Sequence, residues 1–170
     1  MAGAGSAVLA QETDAPDWTR AAAKSGQFSI ETPCSAAEIE ALIARRGGPV
    51  APASDGRVMC LHRGVMFTAI VRTAPLPEGY DGPGAFDMML AMGKSEIEAS
   101  ETIAVDEIDG RRSISNEELD EGRLARTVVI ELSPNSLLML VSGGPFEPGY
   151  EVEEISPMLD RFVNSLEITE

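Results

Sequence analysis

Residues 101–142 read ETIAVDEIDGRRSISNEELDEGRLARTVVIELSPNSLLMLVS, and this run decides the fold. It predicts four successive strands: Glu101–Ile108, Arg111–Leu119, Arg123–Leu132 and Ser136–Ser142. Asp109-Gly110 and Asp120-Glu-Gly122 fall between them, and such residues tolerate the positive φ that tight hairpin turns require. Leu124, Val128, Ile130 and Leu132 share one face of their strand, while Leu137 to Val141 is apolar on both faces. The latter pattern suits a central strand covered on each side. Arg111–Leu119 is polar throughout and belongs nearer an edge, where charge discourages unwanted pairing.

Towards the N-terminus the pattern changes. Phe28, Ile30, Thr32 and Cys34 alternate along a further strand. Ser35-Ala-Ala-Glu38 then reads as a capping box, in which serine and glutamate satisfy each other's free backbone donors. Ile39, Leu42 and Ile43 follow at helical spacing, and Gly47-Gly48 ends that helix. Pro49 to Asp55 reads as a loop. Arg57–His62 and Val65–Arg72 form a hairpin around Arg63-Gly64. A turn-rich connection from Pro75 to Pro83 carries Tyr80. The helix Ala85–Glu98 follows, with Phe86, Met89, Leu90, Gly93 and Ile97 on one face. At the C-terminal end, Ser156-Pro157 reads as N-cap and first helical position of an amphipathic helix carrying Met158, Leu159, Phe162 and Val163. Leu166 to Ile168 adds a last short strand. Gly143-Gly144 reads as a turn.

The expected class is therefore α+β: one largely antiparallel sheet of six to seven strands with helices on both faces, an α/β/α sandwich. Residues 11–26 form a lead-in, extended or in a short helical turn, anchored by Trp18. Residues 27–170 form a single domain, and a chain of 170 residues has room for a proper core.

Charge and composition narrow the partners. The net charge of −15 disfavours phosphate backbones and anionic lipid, which need a positive footprint. No nucleic acid is expected as partner, and no apolar run is long enough for membrane insertion. The one histidine, His62, reads as an edge or surface residue, because base or zinc chemistry would need partners that no motif supplies. Asp106–Leu119 imitates a calcium loop, but Gly110 at position six puts Asn116 at position twelve, where a glutamate is needed. A hairpin turn explains the stretch, and neither a metal nor a cofactor is expected.

Cys34 and Cys60 are the only cysteines. If their strands are neighbours, the Cα atoms fall within disulfide range, and closing the intervening loop stabilises the fold by about 3 kcal/mol. The alternatives are two buried free thiols, or a reactive Cys34 thiolate favoured by the dipole of the helix that follows it. Met88 and Met92 point away from the Phe86 face, one turn apart. With Tyr80 they could line a cavity for a small ligand or a soft metal ion.

The lead-in Trp18, Phe28-Ser29-Ile30 with Pro33, the meander with Asp-Gly turns and Leu159-Asp160-Arg161-Phe162 with Ser165 together resemble the PsbP-like family. That resemblance implies a sandwich fold and an exported, lumenal or periplasmic habit, and it transfers no catalytic residue. The first ten residues fit the remnant of a signal peptide, with Val8-Leu9-Ala10 as the small-x-small cleavage site. The reading is a non-enzymatic exported accessory or interaction domain, periplasmic or secreted, with an unknown protein partner or small ligand. The alternatives are a periplasmic small-ligand or metal-binding protein using Met88, Met92 and Tyr80, and a cytoplasmic domain with a redox-sensitive thiol.

Overall fold

A computed structural model describes residues 16–46, 56–96, 104–146 and 151–169, the side chains of 94–96 excepted. The expected signal remnant, the Gly47-Gly48 helix stop, the loop to Asp55, Ile97 and the start of the Glu101 strand lie outside the described residues. Among the described residues nine strands and three helices follow in the order β1 (Thr19–Ala22), β2 (Phe28–Thr32), α1 (Ala36–Arg46), β3 (Arg57–His62), β4 (Val65–Thr73), α2 (Ala85–Glu96), β5 (Asp106–Ile108), β6 (Arg111–Asp120), β7 (Arg123–Ser133), β8 (Ser136–Gly144), α3 (Val152–Asn164) and β9 (Glu167–Ile168).

The mixed α/β composition and antiparallel pairing agree with expectation, but the strands divide between two sheets. Six form the order β3-β4-β8-β7-β6-β5, and three form β1-β2-β9. The single sheet of six to seven strands is thus corrected. The alternation in Phe28–Thr32 states that one face is buried, and says nothing about which strand pairs alongside. Of the two forms expected for the lead-in the extended one is present, and Thr19 to Ala22 pair with Thr32 to Ser29 as β1. Glu167 and Ile168 close the other side of β2.

The meander is local and follows its turns. Arg63-Gly64, Asp109-Gly110 and Glu121-Gly122 each have both residues at positive φ, between 46° and 78°. This is the turn whose twist matches the strands it joins. β8 pairs with β4 on one side and β7 on the other, as a central strand should. Its face bearing Leu138 and Leu140 meets Val128 and Ile130 of β7 and Ala69 and Val71 of β4. Onto that layer pack Ile155, Leu159 and Phe162 of α3 together with Phe28 and Ile30 of β2. Phe67 of β4 lies at the centre, edge-on to Phe162 at 5.3 Å and to Trp18 at 6.0 Å.

The opposite face of β8 is covered unevenly. Phe86 and Leu90 of α2 cluster with Val129 and Leu137 at one end. At the other end Val141 and Leu61 remain 40% and 44% exposed. The architecture is strand-dominated.

Two local readings change. α3 begins at Val152 rather than at Ser156-Pro157. Glu151 is its N-cap, with its backbone N–H donating to the Glu154 carboxylate at 3.0 Å. Pro157 therefore lies inside the helix, where its missing N–H leaves the carbonyl four residues back without a donor. Gly143 and Gly144 are strand residues, not a turn. A Cβ on Gly143 would stand 2.6 Å from the Leu124 carbonyl oxygen and 2.9 Å from the Ala125 Cα. Gly143→Ala is accordingly expected to cost about 1–3 kcal/mol by overpacking, read as a lower urea midpoint with unchanged slope.

Candidate functional site

The Cys34–Cys60 disulfide is present, with Cα atoms 5.8 Å apart. Its setting differs from the expected one. Cys34 follows the end of β2 in the three-stranded sheet, while Cys60 lies on β3, an edge strand of the six-stranded sheet. The bridge therefore joins the two sheets instead of two neighbouring strands. Both residues are buried. No described cysteine is free, so the helix start carries no thiolate.

Immediately beyond Cys34 the capping box forms as its sequence predicts. The Ser35 backbone N–H and hydroxyl donate to the Glu38 carboxylate at 2.8 and 2.7 Å. These bonds, the backbone one foremost, hold the Glu38 carboxyl below the usual range, and the nearby His62 contributes in the same direction. A carboxyl whose pKa is lowered on folding adds stability above its unfolded pKa and loses it as pH falls through the folded value. The difference in Tm between the wild type and Glu38→Gln is expected to be present while Glu38 is ionised and to shrink as pH falls below about 4.3. Thermal melts across that range check this.

The candidate ligand trio occupies α2 and the turn before it. Tyr80 is exposed and its hydroxyl donates to the Pro83 carbonyl at 3.1 Å. Met88 is half-buried, and Met92, one turn on, is 68% exposed. Beside them Arg112 of β6 donates to Asp87 of α2 at 2.8 Å and to Glu131 of β7 at 2.6 Å, with its guanidinium over the Phe86 ring. This clamp lowers the Asp87 pKa and fixes α2 to the sheet. On the other face Arg126 of β7 bridges Glu117 of β6 and Asp160 of α3. Sequence reading missed both clamps, because each joins residues whose proximity only the tertiary fold creates.

A cleft of about 510 Å³ lies elsewhere, at the seam between the two sheets. Ile108, Val163, Leu166 and Ile168 supply its apolar lining, and Glu107, Asp109 and Glu167 its charge. Tyr80, Met88 and Met92 take no part in it. Glu167 also pairs with Arg20 at 3.2 Å. The lining offers acceptors and apolar surface but no cation, so its complement is positively charged or neutral. Among the described residues no group of three or more His, Cys, Asp or Glu side chains could hold a metal ion. None of the described helices is long and apolar enough to cross a membrane.

Comparison with known proteins adds little to this geometry. No protein-family model matches the chain, and no curated protein matches it. A solved structure from Bacteroides thetaiotaomicron VPI-5482 is similar over 89% of this chain and 48% of its own, with a TM-score of 0.43 and 9% identity. The chain spans about half the length of that protein.

Proposed function

We propose that this chain is a non-enzymatic exported domain, periplasmic or secreted, that works as an accessory or interaction module without a cofactor. The observation that carries the reading is the buried Cys34–Cys60 bridge between the two sheets. Structural disulfides persist in oxidising compartments, whereas the cytosol keeps thiols reduced. The same bridge consumes the only two cysteines, and the chain has a single histidine, so schemes built on a cysteine thiolate or on a pair of histidines have no residues to use. An acidic surface supports binding of a protein partner rather than nucleic acid. The PsbP-like order of elements, from Trp18 and Phe28-Ser29-Ile30 to Leu159-Asp160-Arg161-Phe162, supports the exported habit and a sandwich with helices on both faces.

Expression of the natural gene with its own upstream sequence, followed by fractionation and thiol trapping, tests this. The protein is expected outside the cytoplasm with both cysteines blocked. A cytoplasmic protein with both thiols free to alkylate overturns the reading. A second reading, a small-ligand or soft-metal protein, is favoured by Met88 and Met92 one turn apart on α2 with Met92 exposed. It predicts Cu(I) uptake that Met88→Leu with Met92→Leu abolishes. No uptake by the wild type ends it.

A further inference from the structure

β6 is ten residues long, but β5 pairs only with its first three, Arg111 to Ser113. The two-residue loops at both ends of β6 fix which way its backbone faces. A pair that closes such a loop exchanges both of its hydrogen bonds. Ile108 and Arg111 close the Asp109-Gly110 loop, so Arg111 and every second residue after it face outwards. Asp120 and Arg123 close the Glu121-Gly122 loop, so Asp120, Glu118 and Asn116 face β7. Both ends give the same parity. The N–H and C=O groups of Ser115, Glu117 and Leu119 therefore form an outward edge that no strand pairs among the described residues.

The side chains along this edge are sorted. Glu118 and Asp120 project from one face, opposite Ala125 and Arg123 of β7, and the ion pairs among the described residues include neither carboxylate. Leu119 projects from the other and is 64% exposed. Glu117, on the Leu119 face, is already paired with Arg126. A second copy laid antiparallel along Glu117 to Leu119 would set like charges opposite each other, Glu117 against Glu117, Glu118 against Glu118 or Glu118 against Asp120 according to register, which is unfavourable across strands. Residues 95–110 contain no Lys or Arg, so the chain leading into β5 carries no complementary charge either.

We propose that the outer edge of β6, over Ser115 to Leu119, accepts an extended segment of another protein as an added strand. Its occupant is basic on one face, meeting Glu118 and Asp120, and apolar on the other, meeting Leu119. Main-chain bonds to Ser115, Glu117 and Leu119 supply the affinity, and the alternating side chains the selectivity. The biological sense of this edge rests on the interaction-module reading, while its geometry does not.

The test uses the oxidised full chain and a labelled, end-capped peptide of about ten residues alternating Lys and Val, long enough to span the edge. Binding is expected by fluorescence anisotropy, together with amide exchange at Ser115, Glu117 and Leu119 slowed by about tenfold or more while Glu118 and Asp120 are unchanged. Leu119→Pro removes an outward donor at an exposed edge position, where proline is tolerated, and should weaken binding about tenfold or more with Tm retained. Glu118→Lys combined with Asp120→Lys should do the same without touching the backbone. An alternating Glu and Val peptide should not bind. Absent binding, or binding that survives both variants, overturns the proposal. So does protection of Ser115, Glu117 and Leu119 already present in the free protein, since the chain would then cover its own edge. None of these outcomes depends on where the cell keeps the protein, so failure here leaves the export reading to its own test.

Discussion

Phe67→Ala is expected to destabilise the protein by about 4 kcal/mol, the middle of the range for deleting a buried aromatic side chain. Phe67 is fully buried and meets Trp18 on one side and Phe162 on the other, both edge-on. Removing it takes away apolar burial and two ring pairs at once, at a point where β4, α3 and the lead-in converge. For a domain of this size the loss should lower Tm by about 8–16 °C. Phe67→Leu retains much of the volume and should cost about half as much. Trp18→Ala should also destabilise, but less, because that ring is only partly buried and its other contact is the Arg161 guanidinium at 4.6 Å. A neutral Trp18→Ala would detach the lead-in from the core. Equilibrium urea unfolding of the three variants checks the series.

Cys34→Ala with Cys60→Ala is expected to cost about 3 kcal/mol and to lower Tm by about 6–12 °C. The bridge spans 26 residues of sequence and ties the end of β2 to β3, so it restricts the unfolded chain over that whole loop. It also crosses between the sheets, which pair with each other through no shared ladder. Loss of the bridge should therefore act most on the three-stranded sheet. Amide exchange of β1 and β2 is expected to accelerate more than that of β7 and β8. Reduced wild type should reproduce the effect of the double variant. An oxidised wild type no more stable than either would remove the staple from the account.

Much of the meander was legible because its signals are local. Asp109-Gly110, Glu121-Gly122 and Arg63-Gly64 announce turns through the positive φ that their backbone adopts. Leu137 to Val141 announces a central strand through apolar residues on both faces. The Ser35–Glu38 cap is a contact between residues three apart, and it forms as read. What escaped is long-range. Alternation in Phe28-Ser29-Ile30 marks a strand without naming its partner, so the second sheet was not visible. Thr19 to Ala22 make too short and too exposed a strand to show a period. Ser156-Pro157 carries a helix-start signal, yet the Glu151–Glu154 pair starts α3 more than a turn earlier. Gly143 and Gly144 look like a turn, but their need is close approach by Leu124, Ala125, Gly64 and Val65.

The candidate site divides in the same way. The cysteine pair was legible as a pair, while its position between sheets was not. The carboxylates and apolar residues around the seam cleft come from β5 and from α3 with β9, and no spacing in the chain foretells that meeting. The edge of β6 was legible as polar. Its outward backbone became apparent only when β5 proved to stop at Asp106.

The central claim is that one oxidised bridge joins the two sheets, and peptide mapping of the unreduced protein tests it most directly. After alkylation without reductant and proteolysis, the fragment carrying Cys34 should be covalently attached to the fragment carrying Cys60, and reductant should separate them. Two alkylated, unlinked cysteines in folded protein would contradict it.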